Sequence, residues 1–401
     1  MSNYCEACYP QKIKGHKIHW TFELLTAPWL FKRKKKLKTM RTWTPIVPYW
    51  LNALHFVGKI FAFLGLIKFK ADIDRTAYNN RSLAVFDAAR AAGIRVEGII
   101  SLGRTSQQMR AFIGNKVFYY FSVPFSRTCL DIDDKGILMG YLERLGAPVP
   151  NGKIFWTRRG GLKYGRELGF PVVVKPVHGS RSAHAVYPIK NEEELSAGID
   201  IALQYEPRYY VQKYIPGFLH RFTVVNGEYV FCAKRLPPHV IGDGISSIAH
   251  LIDEKNKDPR RAAPDAKNAT LHIIPKNDVT EEYLGRSGMG LTTIPARGET
   301  VQLAPKISIG SGGDVIEVTP KVHQDNTALF QKIGKSLKVD IVGFDVMCPN
   351  VAVSWKDGGF AIIEGNGLPF LDFHHFPGEG TPQPAADKLW ESILSKIVKK
   401  N

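Results

Sequence analysis

Apolar residues recur along the chain with two spacings, one helical and one extended. Asn79 or Asn80 can cap a helix that runs to about Ala92 and ends at Gly93. Ile94–Ser101 follows as a strand with Val96, Ile99 and Ile100 apolar, Ser106–Ile113 reads as a second helix, and Lys116–Val123 as an aromatic strand. Strands alternating with helices predict a small parallel sheet. After Asp133 a helix carries Leu138, Tyr141, Leu142 and Leu145 on one face and stops at Gly146, with Pro148 and Pro150 at its exit. Phe170–Pro176 and Arg208–Ile215 are continuous apolar strands, and Phe222–Val225 with Glu228–Lys234 form a hairpin around Asn226-Gly227. Gly242-Asp243-Gly244 is a turn, and Ser246 or Ser247 caps a helix to Lys255. Residues 256–300 are polar and loop-rich. Ile341–Met347 and Phe360–Glu364 are strands whose ends carry acids, and Pro384–Lys400 is a closing amphipathic helix with Leu389, Trp390, Ile393, Leu394 and Ile397 on one side. The fold class read from this order is α+β / α/β.

Composition changes the picture mainly at the N-terminus. The chain has 401 residues, 44% hydrophobic and 23% charged, which excludes global disorder and a many-span membrane protein. Of its net charge of +17, residues 1–70 hold +11, from 13 basic and 2 acidic side chains. Within that arm the basic block Lys32–Lys38 and Arg41 precedes the apolar stretch Ile46–Ile67, which holds Trp50, Phe56, Phe61, Phe63 and Leu66. Asn52, His55 and Lys59 interrupt the stretch, and a central Lys costs about 2.5–3.5 kcal/mol on insertion scales. Three readings stand: a helix packed on the body, residues 32–67 bound peripherally to an anionic membrane surface, or a true span. Nucleic-acid binding has only charge behind it and is not expected. Cys5-x-x-Cys8 with His16 and His19 offers zinc-type ligands at a spacing that does not match a finger, so an irregular tail is the plainer reading. Five cysteines, three of them far apart, argue against a disulfide framework and suit a reducing, cytoplasmic setting. Met1–Trp20 lacks the apolar segment of a cleavable signal.

Two groups of residues carry chemistry. Lys175 ends a strand and precedes a loop of small residues, an arrangement that can hold phosphate through its cation and unobstructed backbone N–H groups; it is not in P-loop order. Asp345, Glu364 and Asn366 sit at strand ends, the last two on one face because they are two residues apart. Two carboxylates and an amide oxygen suit Mg²⁺ held together with phosphate oxygens, with Mn²⁺ as a substitute.

From about Asp131 to Gly380 the chain resembles an ATP-grasp ligase, and more narrowly the ATP-grasp part of cyanophycin synthetases and bifunctional glutathione synthetases. The resemblance rests on Asp134-Lys135 with Gly146-Ala-Pro-Val-Pro150, Phe170-Pro-Val-Val-Val-Lys-Pro176, Ile215-Pro-Gly217 with Arg221, and Arg235 through Gly244. It continues through Asp258-Pro-Arg-Arg261, Gly310-Ser-Gly-Gly313, Val318-Thr319 with His323, Gly343-x-Asp345, and Glu364-x-Asn366 with Pro369, Leu371 and His374. It implies two α+β subdomains gripping ATP over residues 131–401, preceded by a small pre-ATP-grasp-like α/β domain over 71–130 and the basic arm over 1–70. By the same resemblance Lys135 and Lys175, with Gly179 and Ser180 of the small-residue loop, would hold ATP phosphates. Gln212, Lys213 and Ile215 would form the adenine hinge, and Asp345, Glu364 and Asn366 would bind magnesium. Arg221 and Arg235 would face the transferred phosphate or the substrate carboxylate. The implied reaction activates a small-molecule or peptide carboxylate as an acyl phosphate, which an amine then attacks. A homo-oligomer is expected. The chain departs from the family at Gln212, where Glu is usual, and at Leu219, where an acid commonly meets the ribose hydroxyls. Further departures are Ser182 and Ala183 in the phosphate loop, Ser308 in place of Asn, and Asp372 where Arg is expected. Asp372 would therefore either select a cationic amine or cap the turn before Phe373. A degenerate nucleotide-binding module is the alternative to a working ligase.

Overall fold

A computed structural model describes residues 58–121, 123, 132, 134–177, 184–263, 265–305, 307 and 309–398. The Cys5/Cys8 and His16/His19 pairs, the Lys32–Lys38 block, most of Ile46–Ile67, and Gly179, Ser180, Ser182, Ala183 and Ser308 lie outside the described residues.

The first unit is built from β1 (Ile67–Lys70), α1 (Asn80–Ala91), β2 (Arg95–Ser101), β3 (Arg104–Ile113) and β4 (Lys116–Phe121). Asn79 caps α1 by accepting from Ser82 N, and Gly93 leaves it at φ +72°. The expected helix at Ser106–Ile113 is instead part of strand β3. Met109, Ala111 and Ile113 are buried and alternate with more exposed neighbours, a period of two rather than 3.6. The sheet, in the order β1-β2-β3-β4, is antiparallel throughout and not parallel. Two-residue turns explain why: Leu102-Gly103, both at positive φ, joins β2 to β3, and Gly114-Asn115 joins β3 to β4. A parallel neighbour would need a crossover of a dozen residues or more.

The body follows. Helix α2 (Lys135–Arg144) starts at Asp134, whose carboxylate accepts from Ile137 N at 2.9 Å. One lobe contains β5 (Gly152–Phe155), α3 (Arg158–Leu168), β6 (Val172–Pro176), β7 (Val186–Ile189), α4 (Glu192–Leu203) and β8 (Tyr209–Lys213), with strand order β5-β8-β6-β7. Its core is Val172, Val174, Ile189, Leu195, Ile199, Tyr209 and Val211. The hairpin of β9 (Phe218–Val225) and β10 (Tyr229–Leu236) turns at Asn226 and Gly227, both left-handed.

A small lobe then runs through β11 (His239–Ile241), α5 (Ile248–Asn256), β12 (Arg261–Ala262), β13 (Leu271–His272), α6 (Asp278–Gly285) and β14 (Thr300–Gln302). It packs around Val240, Ile248, Ile252, Ile274, Leu284 and Val301, so the polar stretch 256–300 holds more structure than its composition indicates. Strand β15 (Asp314–Glu317), α7 (Gln324–Leu337), β16 (Ile341–Cys348) and β17 (Ala361–Asn366) complete the second large sheet, ordered β15-β10-β9-β16-β17 and antiparallel. Phe222 stacks on Phe330 at 4.2 Å beneath it.

The short α8 (Asp372–His375) and the closing α9 (Ala385–Val398) return to the first unit. One hydrophobic cluster joins Val85, Phe86, Met109 and Tyr120 of that unit to Val225, Phe231 and Ile341 of the second sheet and to Leu389 and Trp390 of α9. Trp390 is 1% exposed and donates its indole N–H to the Val85 carbonyl at 2.8 Å. The expected domain over 71–130 therefore shares its core with the body. No described helix is long and apolar enough to cross a membrane.

Candidate active site

The two large sheets meet at a cavity of about 600 Å³ lined by residues of both. Strand β6 delivers Lys175 as its penultimate residue, and β8 delivers Gln212 from the neighbouring strand. From the other side, β16 and β17 pair Asp345 directly opposite Glu364, while β9 sets Arg221 opposite Asp345. Residues directly opposite in a ladder have Cβ atoms about 4.5–5.5 Å apart on one face. The register alone thus gathers the two carboxylates and an arginine.

The polar end of the cavity is a network of opposed charges. Lys135 Nζ lies 3.3 Å from Glu364 Oε1 and donates to the Val177 carbonyl at 3.3 Å. Lys175 Nζ donates to the Ile363 carbonyl at 3.0 Å. Burial, with the neighbouring Lys135 charge, brings the Lys175 ammonium down to about 7, against the opposing pull of Glu364 and Asp345. Arg221 Nε donates to Asp345 Oδ1 at 2.5 Å, and Arg235 Nη1 stands 3.7 Å from Asp345 Oδ2. Burial would push the Asp345 carboxyl up, but Arg221 and Arg235 hold it below the ordinary carboxylate range. Burial also lowers Arg235, which donates to the Ile307 carbonyl at 3.2 Å.

The other end is largely apolar: Val173, Ala185, Ile215, Leu219 and Met347 line it, with Gln212 and Tyr214 among them. Gln212 is 3% exposed, and its Oε1 has no partner. Leu219 and Met347 are cross-strand partners, and Met347 is two residues along β16 from Asp345, roughly 7 Å at the rise of a strand.

Of the residues singled out in the sequence, Lys135, Lys175, Gln212, Ile215, Arg235, Asp345 and Glu364 line the cavity. Arg221 is buried behind Asp345. The side chain of Lys213 turns to the other face of β8, where it donates to the Gly169 and Phe170 carbonyls. Asn366 follows Glu364 on the same strand, opposite Gly343, but does not line the cavity; its Nδ2 is buried without a partner. Asp372 does not face the cavity either. It is buried at the start of α8, accepts from Thr270 Oγ1 at 3.1 Å, and its carboxyl is raised by burial despite Arg81 nearby. The N-cap position of α8 is Leu371, whose side chain makes no capping bond. Sequence reasoning missed Tyr187, Tyr283 and Arg286, which also line the cavity. Tyr283 lies in α6 and Arg286 is the residue that follows its end; the helix's signal was present: Asn277 caps it by accepting from Thr280 N, with Asp278 and Glu281 in the first turn.

No protein-family model matches the chain. The chain is 30% identical over 263 residues to the cyanophycin synthetase of Trichormus variabilis, covering 65% of this chain and 29% of that protein. It is 30% identical over 271 residues to the glutathione biosynthesis bifunctional protein of Clostridium perfringens, covering 67% and 35%. Among solved structures it superposes on a bifunctional glutathione synthetase from Pasteurella multocida with a TM-score of 0.61 and 22% identity, over 80% of this chain and 45% of that one. The chain has the ATP-grasp fold. The chain spans about a third of the length of the curated relatives it matches. In this ATP-grasp protein the likeness in structure extends beyond the segment matched in sequence.

ATP-grasp ligases generally use ATP with Mg²⁺. The donor set here fits such an ion: Asp345 and Glu364 oppose each other on the wall, and both are hard oxygen donors. No cluster of three or more His, Cys, Asp or Glu side chains that could hold a metal occurs among the described residues.

Proposed function

We propose that this chain is an ATP-dependent carbon–nitrogen ligase that joins a carboxylate to an amine. The observation that carries this reading is one cavity whose polar end sets Lys135, Lys175 and Arg235 against Asp345 and Glu364. Such a site neutralises a polyphosphate and the charge that develops on a phosphoryl group in flight. The γ-phosphoryl group passes to a carboxylate oxygen and ADP leaves. The amine nitrogen then attacks the acyl carbon and inorganic phosphate departs. Lys135 and Lys175 hold phosphate oxygens, Arg235 faces the reacting groups, and Arg221 fixes Asp345 in place. Asp345 and Glu364 would hold a divalent cation, which would supply positive charge to offset that of bound phosphate. The apolar end, with Gln212, Tyr214 and Ile215, takes the adenine. The relatives' names supply the class of reaction; the acid and the amine are small molecules or peptides.

ADP release in the presence of Mg²⁺ and pools of amino acids and short peptides tests the reading. Glu364→Gln and Asp345→Asn should each lower turnover by roughly a hundredfold or more, since each removes charge from the metal and phosphate end. Undiminished turnover in either variant would remove these residues from the site.

A further inference from the structure

A feature remote from the cavity stands at one end of the antiparallel sheet of the first unit. Ile60, Phe61, Phe63, Leu64 and Leu66 are all exposed within seven residues, Phe63 at 91%. They occupy the end of a helix over residues 58–63 and the turn that leads into β1, closed by Leu64 N donating to Ile60 O and Leu66 N to Phe61 O. The β2–β3 turn adds a sixth: Leu102, 76% exposed, donates its N–H to the Leu66 carbonyl at 2.9 Å. Two segments distant in sequence thus converge on one apolar prominence. Lys59, Lys68, Lys70 and Arg104 are exposed beside it. Neither residues 58–71 nor 98–110 contain Asp or Glu. A monomeric soluble protein rarely clusters apolar side chains in this way without a partner for them.

We propose that this composite patch is a docking surface for an anionic lipid bilayer, independent of the ligase reading. The shape is one of protruding tips rather than a groove, so a bilayer's acyl boundary receives it without a complementary cleft. The exposed Lys59, Lys68, Lys70 and Arg104 match the headgroups of an anionic leaflet, and the block Lys32–Lys38 lies upstream in the same chain. Leu102 lies outside the 32–67 stretch that sequence reasoning singled out; the sheet's register brings it in.

The test is sedimentation of the full chain with vesicles of phosphatidylcholine alone and of phosphatidylcholine mixed with phosphatidylserine, at low and high salt. The wild type should bind the mixed vesicles at low salt and dissociate at high salt. Phe63→Ser and Leu102→Asn should each weaken binding roughly fivefold or more, because each withdraws an inserted apolar side chain. Leu102 holds φ +48°, a conformation Asn accepts, and it is exposed, so this variant should melt with the wild type. Arg104→Glu should weaken binding to the mixed vesicles and leave the phosphatidylcholine control unchanged. Lack of binding to the mixed vesicles, or equal binding by wild type and Leu102→Asn, would overturn the proposal. So would a dimer seen by sedimentation equilibrium that Leu102→Asn dissociates in the absence of vesicle binding, which would assign the patch to a second copy of the chain.

Discussion

Lys175 shows how a single residue can serve the site at the expense of the fold. Its proton is held to about 7 in the folded chain, far below the ordinary 10.5. Below about 7 the full cost of a buried cation is present. Between about 7 and 10.5 the unfolded chain binds more protons than the folded one, so stability rises with pH through that window. Lys175→Met should therefore lose ATP affinity yet gain stability near neutral pH, on the order of a few kcal/mol, and the gain should fade as pH rises from about 7 toward 10.5. Calorimetric titration with ATP and urea melts at two pH values check both halves. Leu219 leads to a different expectation. Leu219 lines the cavity, and the family resemblance puts it where an acid would meet the sugar hydroxyls of the proposed nucleotide. A site that makes no bond to a hydroxyl cannot reject its absence strongly, so 2′-deoxy-ATP should bind within about threefold of ATP, and Leu219→Glu should widen the gap. Titrations of both nucleotides decide it. Much of this site was legible because strand-end acids flanked by Ile and Val have few other uses. What could not be read was direction. Gln212 and Lys213 are adjacent on one strand, so one faces the cavity and the other must turn away. Asp372, eight residues past Glu364, lies behind the wall rather than in it.

Elements were legible where one period dominated. The Asn79 cap, the Asn226-Gly227 hairpin, the Ser247 cap and the acid-bearing strands β16 and β17 all follow from short-range chemistry. Strand β3 was misread because Ser106-Gln-Gln108 suits an exposed helix as well as a strand, and only its pairing with β2 and β4 decides. The parallel arrangement fell with it. Helix α9 was predicted as amphipathic, but the sequence does not say what its apolar face covers. The structure answers with α1: Trp390 packs edge-on to Tyr120 at 5.8 Å and bonds to Val85. Trp390→Ala should cost about 3–5 kcal/mol, the usual range for emptying so large a buried site. Trp390→Phe should cost less while still losing the indole bond. Thermal melts of the two variants give the comparison.

For the molecule as a whole, the unit over 71–121 and the body share a single hydrophobic cluster, so they should unfold together. Residues 131–401 expressed alone should expose Val225, Phe231, Leu389 and Trp390 and either aggregate or melt well below the full chain, which should unfold in one transition. Scanning calorimetry of the full chain and of residues 131–401 tests this, and two independent transitions in the full chain would contradict it. The boundary near residue 130 was read from a change of motif, and motifs do not reveal which cores are shared. The bond between Val85 and Trp390 spans 305 positions. At about 5–20 residues per second of synthesis, the apolar face of α1 waits roughly 15–60 s for the helix that covers it. During that interval the nascent chain shows Val85, Phe86 and Ala89 to whatever is nearby. Its safe passage through biosynthesis then depends on the concentration of chaperones and of its own unfinished copies.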